Sequence, residues 1–157
     1  MAMAPPTPPS PDATGRFSDD DYRAILRFRT RIREFLAWSA AQAREAGLTP
    51  AQHQLLLAVR GHDHPDGPTV GDIAHYLQLR HHSAVELIDR AVTASLVTRR
   101  VVDEDRRVVR IGLTTAGAAI LERLTEIHVA ELNALAVGDL LPQIPTTPPP
   151  PPPEQTT

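Results

Sequence analysis

A mainly α-helical domain with one small β-hairpin is the fold class that this 157-residue sequence predicts, and three observations predict it. Apolar residues recur at helical spacing through most of the middle of the chain. Ser or Thr, followed three residues later by Asp or Gln, stands ahead of several of those runs, which is the signature of a helix start. One stretch alone, "LVTRRVVDEDRRVVRIGLT", has β-branched residues on both sides of five consecutive charges, Asp103 to Arg107. It reads as two strands joined by a charged tip.

Each element has its own warrant. Ser18 with Asp21 opens a first helix, and Tyr22, Ile25, Leu26, Ile32, Phe35, Leu36 and Ser39 trace one face of it. Gly47 is its C-cap, so the helix runs for roughly 26 residues, about 40 Å. That is long for a small domain. Phe28 and Trp38 lie off the main stripe. A helix that is apolar on two sides packs on two things, here part core and part dimer contact. Thr49, Pro50 and Gln52 open a second helix. "GHDHPDGP", 61–68, is a loop by its Gly and Pro content. Thr69 with Asp72 opens a third helix, "QLR" is a short turn, and "HHSAVELIDRAVTAS" is a fourth. Ala84, Leu87, Ile88 and Ala91 form its buried stripe; His81, His82, Val85, Glu86 and Asp89 form its outer one. The two strands follow. Thr114 then caps a last helix carrying Ile120, Leu121, Leu124, Ile127, Leu132 and Leu135.

Helix, short turn, helix and hairpin in that order make a winged helix-turn-helix. The long first and last helices are then expected to serve dimerisation. The domain is expected over residues 18–141. The ends, 1–17 and 142–157, are Pro-rich, the second reading "PQIPTTPPPPPPEQTT". Neither end buries enough apolar surface to offset the entropy of ordering, so both are expected to be disordered or polyproline-like tails.

Composition narrows the function. The chain has no Cys, which excludes disulfide scaffolds, cysteine–zinc sites and thiol redox sensors. Net charge is −3, so any nucleic-acid role rests on local charge. From Arg80 to Arg110 seven arginines face five acids, a local excess of the expected sign. No apolar run approaches the roughly 20 residues of a membrane span, and the start lacks the pattern of a secretory signal. The expected location is the cytoplasm. No P-loop, Gly-rich dinucleotide turn or nucleophile–base motif is present in the sequence, so neither an enzyme nor a cofactor is expected. His62, His64 and Asp66 in "HDHPD" read as a polar surface loop rather than a metal site.

Two segments carry a family resemblance. "LQLRHHSAVELIDRAVTASLVTR" resembles the recognition-helix segment of the MarR family of bacterial transcription regulators. "DRRVVRIGLTTAG" resembles that family's wing, with Asp105, Arg107, Leu113, Thr114 and Gly117 at the signature spacing. The resemblance implies a dimeric, ligand-responsive repressor on a pseudo-palindromic duplex. Arg80, His81, His82, Ser83, Val85, Glu86 and Arg90 would meet the major groove or its phosphates. Arg106 would meet phosphate, and Arg107, aimed by Asp105, the minor groove. It also implies a pocket for a small aromatic effector, with Phe35, Trp38, His53 and Leu56 as its candidate lining. Three features depart from the family. Glu86 is acidic where a basic or neutral residue is usual, Val102-Asp103 replaces the Asp-Pro that opens the wing, and Gly138 and Pro142 break the last helical region early. Glu86, the acidic wing tip and the shortened C-terminus favour a second expectation, a winged-helix interaction or ligand-binding module that has lost DNA binding, with the Pro-rich tail recruiting a partner.

Overall fold

The computed structural model describes residues 17–101 and 108–134. Its elements are α1 (Asp19–Glu45), α2 (Pro50–Arg60), α3 (Val70–Tyr76), α4 (His81–Thr93), β1 (Val97–Val101), β2 (Val109–Leu113) and α5 (Thr115–Ala134). Type and order are those of a winged helix-turn-helix. The expected boundary at 141 lies outside the described residues, as do both tails apart from Phe17.

Helix starts follow from capping chemistry. In α1, α2 and α3 the Ser18, Thr49 and Thr69 hydroxyls accept the N–H of Asp21, Gln52 and Asp72, and those side chains accept the cap N–H in return. The Thr114 hydroxyl accepts the Gly117 N–H at 2.9 Å and opens α5. Each such cap contributes about 1 kcal/mol.

Helix ends follow one repeated device. After α1, α3 and α4 the chain turns through a left-handed residue, Gly47, Gln78 or Ser95. A Leu then donates its N–H to an Ala carbonyl five residues back: Leu48 to Ala43, Leu79 to Ala74, Leu96 to Ala91, each at 2.9 Å. This is the Schellman arrangement. Two of the three left-handed positions are not glycine, so the backbone there is held against a side-chain cost of about 1–2 kcal/mol.

The hairpin is antiparallel, with Val97 opposite Leu113 and Val101 opposite Val109. A bridge from Thr69 to Arg110 and a bond from the Ile111 N–H to the Pro68 carbonyl tie the loop before α3 onto β2. Gly67, at φ +90°, lies so close to the Ile111 carbonyl that a Cβ would collide with it. Only glycine fits there.

The core sits between α2, α3, α4, the hairpin and the start of α5. Leu55, Leu56, Ile73, Leu87, Ile88, Val97, Ile111, Leu121 and Leu124 are its sealed members. The buried stripe of α4 is Ala84, Leu87, Ile88 and Ala91, as its sequence predicts. The first helix differs from expectation. Only Ser39 and Ala43 of α1 are buried, while Tyr22 is 60%, Leu26 62% and Leu36 53% exposed. The share of α1 in the core of one chain is confined to its C-terminal third. Ile127, Val129 and Leu132 of α5 are likewise exposed. Among the described residues no helix is long and apolar enough to cross a membrane.

Candidate nucleic-acid interface

α4 presents one face to the core and the other to solvent. His81, His82, Glu86, Asp89 and Arg90 are exposed; Ser83 and Val85 are half-buried at the edge of the face. Its start is unlike the others. The N-cap is Arg80, in extended conformation, with no side-chain cap hydrogen bond. The first-turn amides of α4 are thus left for an outside acceptor, with a guanidinium beside them. Free amides and the helix dipole together favour an anion such as a phosphate.

The hairpin is fastened to this helix. An Arg99 guanidinium nitrogen on β1 lies 2.6 Å from an Asp89 carboxylate oxygen on α4. Helix α4 and strand β1 therefore share a direct, partly exposed ion pair that adds to their packing. Asp89 spends its charge on Arg99. Arg110 is also committed, since its guanidinium donates to the Gly67 carbonyl at 2.9 Å. Of the seven arginines from Arg80 to Arg110, these two are structural, a division that the sequence does not reveal. Asp105, Arg106 and Arg107, the expected wing-tip residues, lie outside the described residues.

The loop histidines are occupied locally. The His62 Nδ1 lies 2.9 Å from the Tyr76 hydroxyl, and the His64 Nδ1 accepts the Asp66 N–H at 3.2 Å. Among the described residues no group of three or more His, Asp or Glu side chains is placed to hold a metal.

The four residues expected to line an effector pocket separate into two sites. Leu56 is sealed in the core. Phe35, Trp38 and His53 gather around a residue that the sequence reading missed, His128 of α5. The His128 ring centroid is 4.8 Å from that of His53, 4.9 Å from that of Trp38 and 6.1 Å from that of Phe35. Its Nε2 is 2.7 Å from the Ser39 hydroxyl and its Nδ1 is 2.6 Å from the Leu124 carbonyl. Ser39 and His128 have the spacing of a nucleophile and its base, but Ser39 is only 5% exposed, so the pair bonds within the core. Burial, and then the neighbouring His128, hold the His53 imidazole below its ordinary pKa. The adjoining cleft beside Phe35 and Trp38 holds about 160 Å³, too small for an aromatic acid. A roomier groove of about 750 Å³ lies along α5, lined by Arg60, Leu113, Leu121, Thr125 and Val129 among others.

The MarR family model matches residues 46–108, from the end of α1 through the helix-turn-helix into the wing. Over that segment the chain is similar to the MarR family. Solved structures agree in fold. MepR of Staphylococcus aureus, a transcription regulator of the multidrug efflux pump MepA, is 26% identical with a TM-score of 0.62, over 78% of this chain and 84% of that one. A MepR–DNA complex is 26% identical with a TM-score of 0.60, over 78% and 85%. YusO of Bacillus subtilis, at 21% identity and a TM-score of 0.57 over 78% and 86%, shares the fold. No curated protein matches the sequence. In that likeness α3–α4 correspond to the helix-turn-helix and β1–β2 to the wing.

Proposed function

We propose that this chain is a MarR-type, sequence-specific DNA-binding transcription regulator that works as a homodimer. The observation that carries the reading is the start of α4. Three other helices close their first turn with a reciprocal cap and α5 with Thr114, whereas α4 offers bare amides beside Arg80, His81 and His82. In this reading α4 enters the major groove. His81 and His82 donate to phosphate or guanine, Val85 meets a thymine methyl, and Glu86 accepts from a cytosine amino group. Ser83 and Arg90 contact the backbone. Arg106 contacts phosphate, and Arg107, aimed by Asp105, enters the minor groove.

The exposed apolar face of α1 supports a second copy as the other half of the reader, with half-sites about 10 base pairs apart or a multiple. Selection from a random duplex pool at low salt should return a two-fold-related site. Recovery of no such site would favour the second reading, an interaction module without DNA binding, which the exposed carboxylate of Glu86 speaks for. Arg107→Ala should weaken binding to all sequences and flatten the salt dependence by roughly one contact.

A ligand-responsive repressor is the finer form of this reading. Support comes from the groove of about 750 Å³ along α5, lined by Leu113, Leu121 and Val129 and by the charged residues Arg60, Glu122 and Glu126. That combination suits a small aromatic molecule without a net negative charge. Such molecules should release the bound duplex, and Val129→Trp, which fills the groove, should blunt the release without weakening the duplex complex.

A further inference from the structure

The His53–His128 pair has no part in the interface just described. It lies where three helices meet: Ser39 and Trp38 come from α1, His53 from α2 and His128 from α5. α2 packs on α3, α4 and β2 as well as on the two long helices, so it joins the winged module to the helical arms.

The protons can be assigned from the partners. A carbonyl only accepts, so the His128 Nδ1 carries hydrogen and donates to Leu124. The Nε2 of neutral His128 therefore accepts from the Ser39 hydroxyl. The His128 ring is thus tied at both nitrogens and lies against the Trp38 ring. A proton added to His53 finds no hydrogen-bond partner for its ring among the described residues. His53 is 4% exposed and its ring is 4.8 Å from that of His128. The charged groups around the box are Arg31 and Glu34 of α1 and Glu131 of α5, which line the small cleft beside Phe35 and Trp38. Among the described residues neither imidazole has a carboxylate within ion-pair distance. A charge on buried His53, against the half-buried His128 ring and with no counter-ion, is costly, and the direct relief is for α2 to move away from α5.

We infer that the His53–His128 pair is a proton-sensitive joint between the arms and the winged module, so that acidification changes the spacing of the two recognition helices in a dimer and releases DNA. The release rests on the DNA-binding reading above; the joint itself does not. The depressed basicity of His53 agrees with this geometry, since the neutral form is the one the closed joint holds.

The chain supplies its own probe, because Trp38 is its single Trp. The full chain is titrated between about pH 8 and 5, the window in which imidazoles change charge, while Trp38 emission and affinity for a selected duplex are followed. The expected result is a Trp38 transition and, over the same range, a loss of affinity of about tenfold. His53→Gln should remove both the affinity loss and the Trp38 transition. His128→Gln, which keeps a polar partner for Ser39, should abolish the emission change. A flat Trp38 signal, or parallel affinity loss in wild type and both variants, would overturn the inference. A Trp38 transition that the variants remove, in a chain that binds no duplex at any pH, would sustain the joint and sink the DNA reading instead.

Discussion

Leu87 and Ile88 of α4 are sealed inside the winged module, while Tyr22, Leu26 and Leu36 of α1 stand in solvent, although both sets lie on regular apolar stripes. Periodicity marks a face that will be covered; it does not say by what. The stripe of α4 is covered within its own chain by α3, β1 and α2. The stripe of α1 is covered by its own chain only near Ser39 and Ala43. A module that satisfies itself and arms that do not should respond differently to the same kind of damage.

The largest effect is expected in the module. Ile88→Ala leaves a cavity in a fully buried site and should cost about 2–5 kcal/mol, read by denaturant unfolding. A cost well under 1 kcal/mol would mean that the module is not the self-sufficient unit described. Next comes the arm. Leu26→Asp with Leu36→Asp should shift a dimer to monomer, weakening association by about tenfold or more in sedimentation, while the module keeps its hydrogen-exchange protection. Loss of protection throughout would show that module and arms fold as one.

Acid should act on both regions in sequence. His53 has a lowered pKa in the folded chain, so below about 6.5 the unfolded chain binds more protons and stability falls with pH. Asp72 and Asp21 have carboxyls held below their ordinary value by hydrogen bonds from Thr69 and Ser18. Their contribution is present above about pH 4 and is lost as pH falls through their folded values. Stability should therefore be flat above neutrality and decline in two limbs. His53→Gln should remove the upper limb alone.

The smallest effect separates stability from function. Arg80→Ser supplies the missing cap of α4 and should stabilise the chain by about 0.5–1 kcal/mol, yet weaken duplex binding several-fold. Tighter binding in this variant would argue against the amides of α4 as a phosphate site.

The helices were legible because their starts are written locally. Ser18 with Asp21, Thr49 with Gln52 and Thr69 with Asp72 are each three residues apart, and the stripe of α4 is a matter of spacing. The hairpin was legible from its β-branched flanks. The ends of α3 and α4 were harder to read, because Gln78 and Ser95 take a backbone conformation normally signalled by glycine. Pairings across the chain were not legible at all. Ser39 and His128 are 89 positions apart, and nothing in either segment names the other. The same holds for Arg99 with Asp89, where sequence shows two charges on different elements but not that they meet. His128 would have stood out only as a histidine within the apolar run of the last helix. The convergence of Phe35, Trp38 and His53 on His128 was hidden for the same reason.

The bare stripe of α1 makes the amount of protein a variable in its own right. When chains are scarce, paired copies accumulate as the square of the total, so halving expression removes about three quarters of them. A regulator built this way would read its own dosage, and a modest change in its synthesis would be felt at its target as a much steeper one.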